Sequence, residues 1–81
     1  MKVIPNPPEN IAVIEFYVKQ AGNVLLEIHN ITGQKVMELY NNQAEAGINR
    51  IPLNAAKLDA GIYFITLQSN DSKETVRVVI K

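Results

Sequence analysis

Any acid–base chemistry in this chain has to start from one histidine. His29 is the sole imidazole among 81 residues, and there is no cysteine to act as nucleophile or soft metal ligand. Glu27 lies two residues before it, which on a strand places both side chains on one face. A general base needs such an orienting partner, but it also needs a substrate pocket. Nothing in the sequence around His29 supplies one, so it reads as a half-exposed surface residue. The carboxylates Glu15, Glu27 and Glu38 alternate outward on separate strands, where they meet only across a sheet. Paired carboxylates for glycoside cleavage require a cleft between them. Here they read as solvating charges.

The remaining candidates are turn residues. Asp59 and Asp71 fall where calcium ligands often sit, but no D-x-D-x-D-G run accompanies them. Asn30-Ile31-Thr32 and Asn70-Asp71-Ser72 are N-x-S/T triplets, meaningful only in a pathway that glycosylates them. No constellation for catalysis, cofactor or metal binding emerges, and the expectation is a protein that is not an enzyme and uses no cofactor.

Composition narrows the partners. Eight Lys and Arg balance eight Asp and Glu, 47% of the residues are hydrophobic and 20% are charged, as in an ordinary globular domain. The length allows one small domain with a thin core. The cations are spread singly rather than in a basic run, which argues against nucleic acid as a partner. Apolar runs of three or four residues are far short of the roughly 20 needed for a helical membrane span. No secretory signal opens the chain, because Met1-Lys2 leads straight into prolines.

The elements that position these residues are strands, because the hydrophobic period is two almost throughout. Ile14, Phe16 and Val18 share a face, as do Val24, Leu26 and Ile28, then Tyr63, Ile65 and Leu67, then Val76, Val78 and Ile80. Gln20 to Asn23, Thr32-Gly33-Gln34 and Asn70-Asp71-Ser72 read as turns, and Asn41 to Gly47 as a polar loop. The mixed pattern of Lys35 to Tyr40 predicts a bulge or burial on both faces. Pro52 marks Ile48 to Leu53 as an edge strand or strand end, and Asn54 to Ala60 has room for a single helical turn. A short strand at Lys2 to Ile4 completes about seven.

Turns recur every eight to twelve residues, which predicts an all-β fold, an antiparallel immunoglobulin/fibronectin-like β-sandwich. Leu58-Asp59-Ala60-Gly61-Ile62-Tyr63 has the spacing of a tyrosine corner, with the Tyr63 hydroxyl bonded to a nearby backbone carbonyl. Residues 1–10 read as a Pro-rich lead-in and 11–81 as the sandwich. Pro5-Asn6-Pro7-Pro8 is rigid and extended. At the far end Thr75 to Lys81 forms a terminal strand whose unpaired edge another protein can extend. Lys73, Arg77 and Lys81 guard it against aggregation.

Five stretches together resemble the C-terminal sorting domain, type A, of the type IX (Por) secretion system. Ile4-Pro5-Asn6-Pro7 is similar to its aromatic-Pro-Asn-Pro opening, and Val24 to Val36, through Thr32-Gly33-Gln34-Lys35, to its strand–turn–strand block. Ala46-Gly47 with Ile51-Pro52-Leu53 fits the third block, Leu58 to Ile65 the L-x-x-G-[IV]-Y-F block, and Val78 to Lys81 the basic-ended last strand. The match keeps the family's order over nearly the whole chain. Ile4 stands where an aromatic is common, Pro8 where phenylalanine often follows, and His29 where tyrosine is frequent.

The resemblance implies a domain at the C-terminus of secreted Bacteroidota proteins, often hydrolases or adhesins. The passenger enters the periplasm by a distant Sec signal and then passes the outer-membrane translocon to the surface or medium. A cysteine-protease sortase commonly removes the domain, at or before the segment preceding the Pro-Asn-Pro motif, and couples the passenger to lipopolysaccharide. The residues expected to carry sorting are Pro5, Asn6, Pro7, Gly33, Gly61, Tyr63, Val76, Val78, Ile80 and Lys81. Expected partners are the translocon, the sortase and a fused N-terminal passenger, and the free edge makes a strand-swapped homodimer conceivable. The alternative is a fibronectin-like or carbohydrate-binding module of a secreted hydrolase, which calls for a row of exposed aromatics. Tyr17, Tyr40 and Phe64 are the ones left for it. A passive spacer is a third reading.

Overall fold

A computed structural model describes residues 1–5, 10–70 and 72–81. Seven strands are present: β1 (Lys2–Ile4), β2 (Ile11–Val18), β3 (Gly22–Asn30), β4 (Lys35–Ala44), β5 (Gly47–Asn54), β6 (Gly61–Gln68) and β7 (Lys73–Ile80). One 3-10 turn, Ala55–Lys57, follows β5. The strands form two antiparallel sheets, one in the order β1-β2-β5 and the other β4-β3-β6-β7. This is the two-sheet sandwich that the turn spacing predicts.

The alternation that makes each segment a strand also makes the core. The first sheet turns Val3, Ala12, Ile14, Phe16, Val18 and Leu53 inward, and the second meets them with Val24, Leu26, Ile28, Tyr63, Ile65, Leu67, Val78 and Ile80. Phe16 lies at the centre, 2% exposed, against a set of fully buried aliphatics. Ala55 and Leu58, held by the 3-10 turn, complete the core. The Asn54 side chain accepts from the Ala56 N–H and so starts that turn, as a capping residue does. No buried side-chain polar atom among the described residues lacks a partner.

Two expectations need correction. Asn41 to Gly47 is not all loop: β4 continues to Ala44, which is buried against the core, so its polar residues are the outward members of a longer edge strand. The Gln20-Asn23 turn is likewise shorter, because Gly22 and Asn23 already pair with Ala44 and Gln43. Polar composition was a misleading cue at both places, since an edge strand tolerates a solvated face. The bulge expected in Lys35 to Tyr40 is present twice. The β3–β4 register shifts between Leu26 and Glu27 and again between Ile28 and His29, which leaves Leu39 and Val36 as the extra residues.

Candidate functional site

The β3–β4 turn is closed by its own side chains. The Asn30 carbonyl oxygen Oδ1 accepts from the Thr32 N–H at 3.1 Å, the Thr32 hydroxyl at 2.7 Å and the Gln34 N–H at 3.0 Å. Gly33 sits in this turn at φ +88°, a conformation that glycine adopts without strain. The first N-x-S/T triplet is therefore an internal turn brace, with both its polar side chains engaged.

His29 does not assemble a base. Its Nε2 is 3.8 Å from Glu27 Oε1, beyond hydrogen-bond length, and the Lys35 ammonium lies 3.5 Å from the other Glu27 oxygen. Lys35 also reaches Glu38 at 3.9 Å. Of the outward carboxylates, Glu27 and Glu38 thus share Lys35, whereas Glu15 belongs to the other sheet and pairs with Arg50 at 3.1 Å. The three spare aromatics make no row. Tyr17 is exposed on the first sheet, Phe64 lies on the outer face of the second, and Tyr40 packs partly into the core, its hydroxyl donating to the Gln43 carbonyl.

Tyr63 takes up the tyrosine corner. Its ring is buried and its hydroxyl donates to the Asp59 carbonyl at 2.7 Å. Gly61, at φ +155°, turns the chain into β6 just before it. Tyr63→Phe removes one partly buried hydrogen bond and leaves an acceptor at the protein rim. The expected cost is about 1 kcal/mol, read as a melting temperature lowered by roughly 4–8 °C in a thermal unfolding scan.

The other named residues converge on β7. Pairing of β6 with β7 sets Gly61 opposite Ile80, Tyr63 opposite Val78 and Ile65 opposite Val76. Val78 and Ile80 are buried and Val76 is partly so, which makes the three the core face of the strand, as the alternation predicts. Lys81 follows, exposed, beside a hollow of about 720 Å³ lined by Asn10, Ile11, Ala55, Ala56, Leu58 and Ile80. Pro5 is exposed just past the end of β1, in the other sheet from β7. Asn6 and Pro7 lie outside the described residues.

β7 differs from the other sheet borders. β4 carries two bulges, β5 carries Pro52, and β1 is three residues long, all devices that blunt an edge. β7 runs eight residues in unbroken register with β6 and, among the described residues, has no strand partner on its other side. The outward row that sequence periodicity gives, Lys73, Thr75, Arg77, Val79 and Lys81, is the face it presents beside that edge. The border position expected of Thr75 to Lys81 is what the strand order gives, with β7 at one end of the second sheet.

The described residues thus build a two-sheet sandwich with one long, regular border strand. The family model for the secretion system C-terminal sorting domain matches residues 2–81, and the chain belongs to that family. It is a sorting-signal domain of type IX secretion, a family of export signals rather than of enzymes, and marks a protein that is exported and then secreted or surface-attached. A search of curated proteins gives no match. No helix among the described residues is long and apolar enough to cross a membrane.

Proposed function

We propose that residues 1–81 act as one sorting unit, read by the type IX translocon through strand addition to β7, and that no catalytic step belongs to the domain itself. The observation that carries this is the long, regular edge of β7, unpaired among the described residues, in a molecule whose other borders are bulged, proline-marked or short. Strand addition draws affinity from backbone hydrogen bonds and selectivity from alternate side chains. In this reading Gly33, Gly61, Tyr63, Val76, Val78 and Ile80 shape and hold the strand, while Lys81 and the outward residues are met by the partner. The lead-in with Pro5, Asn6 and Pro7 holds the passenger junction away from the sandwich, where a sortase cuts after passage through the periplasm. The same edge would accept a second copy by exchange of Thr75 to Lys81.

The test is export of a Sec-targeted fluorescent protein fused ahead of residues 1–81 in a strain with a working type IX system. Surface or medium fluorescence is expected, and it should fall at least about tenfold when the outward Thr75, Arg77 and Val79 are all changed to aspartate, a change that places like charges along the partner's side while sparing the core face. Periplasmic retention of the unchanged fusion, with the domain folded, would transfer the case to the carbohydrate-binding module. Undiminished export of the aspartate variant would remove β7 from the recognition surface.

A further inference from the structure

Charge on the outer face of the second sheet is divided in two. On the β3–β4 half, Glu27 and Glu38 share Lys35, with His29 beside them. On the β6–β7 half, no Asp or Glu side chain among the described strand residues has the outward parity. β6 contributes Ile62, Phe64, Thr66 and Gln68 to this face, and β7 contributes Lys73, Thr75, Arg77, Val79 and, just past its end, Lys81. None of Lys73, Arg77 and Lys81 makes an ion pair with a described residue. The acid within β7, Glu74, has the opposite parity and so lies off this row. The nearest outward carboxylate, Glu27, is in register with Thr66 and hence Thr75, two strand spacings or about 10 Å away. A chain of zero formal net charge thus places three cations, none of them ion-paired with a described residue, on one face of a regular edge strand.

The three recur at every fourth residue, so they stand about 13 Å apart in a straight row along the border. Between them lie Thr75 and Val79, β-branched residues suited to cross-strand contact with their own kind. A strand laid along β7 would set its own alternate residues directly opposite this row. We infer that the partner of β7 is an acidic peptide strand, with carboxylates at every fourth position and β-branched or apolar residues midway between them. This rests on the reading of β7 as the recognition edge and specifies the chemistry that reads it. An anionic lipid surface would answer the cations equally well, but it would leave the row of backbone donors and acceptors beside them unpaired, and that favours a peptide.

The probe is a nine-residue synthetic peptide with glutamate at every fourth position and threonine or valine between, titrated into the 81-residue chain. Binding is followed by amide chemical shifts along β7. The expected result is shifts confined to β6 and β7, weakening with added salt, and binding at least about tenfold weaker when glutamine replaces glutamate. The K73E/R77E/K81E variant, its fold checked by circular dichroism, should instead prefer the lysine version of the peptide. Methylation of alternate peptide amides should abolish binding. Equal binding of the glutamate and glutamine peptides overturns the inference, and so does undiminished binding of the methylated one. Binding to phosphatidylglycerol vesicles with none to the peptide assigns the cations to a lipid surface and overturns it as well. Failure here, with export still lost in the Thr75, Arg77 and Val79 aspartate variant, leaves the sorting reading in place. Success here, with export unaffected by that variant, removes β7 from the translocon's recognition surface and keeps the acidic-strand site.

Discussion

Phe16→Ala should leave this domain close to unfolded at room temperature. The ring is the largest fully buried side chain and is 2% exposed, on the central strand of its sheet, facing the aliphatics of the other. Truncating a buried phenylalanine costs about 3–5 kcal/mol, the lost transfer energy plus the cavity left behind. At roughly 0.05–0.15 kcal/mol per residue, a chain this short has on the order of 4–12 kcal/mol in total. Two small sheets cannot slide together to fill the void without breaking the register that eight β2–β5 pairs impose. Thermal and urea unfolding followed by circular dichroism should show a melting temperature lowered by more than about 12 °C, or no cooperative transition. A fall of under about 5 °C would mean that the core is not organised around this ring.

Deleting Thr75 to Lys81 should unfold the domain as well as remove its terminal strand. Val78 and Ile80 are 1% and 5% exposed, and each contributes about 1.5–3 kcal/mol by burial. Six of the eight register pairs that β7 makes with β6 go with the deletion, uncovering Tyr63 and Ile65 along their flank. The summed loss is of the same order as the whole stability. The expected observation is a truncated chain with no sharp melting transition and rapid digestion by a dilute protease. A truncated chain that still melts cooperatively would show β7 to be an appendage rather than a core strand. The outward substitutions therefore report on recognition, because they leave Val76, Val78 and Ile80 in place.

The fold was legible wherever one face of a strand is buried. Phe16, Leu26, Ile65 and Val78 each sit on the side that alternation assigns, and the Leu58-to-Tyr63 spacing is enough to place the hydroxyl of Tyr63 on a backbone carbonyl. Legibility failed at β4, whose polar second half reads as a loop because the strand borders solvent on one side and only Ala44 marks its inward face. Much of the candidate site was legible as well, since β7 ends the sequence with clear alternation and its cations can be counted. Its standing as the one regular border could not be read locally, because it follows from the strand order and from bulges that exist only in register with β3. His29 looked like a candidate by residue type alone, and geometry separates it from Glu27 by more than a hydrogen bond.

The bulges of β4 and the proline of β5 set a valency. A sheet with two receptive borders can add copies on both sides and grow without limit, which is how exported β-proteins form fibres at high concentration. Beside β1, β2 has no uncovered run longer than three residues, since only Val13 to Glu15 are paired there. With β7 as the single receptive border, each strand addition consumes the means of making another. Association by this route stops at a pair, whether the second member is a docking partner or a copy of the chain, and a concentrated solution of the domain is given no template for a polymer.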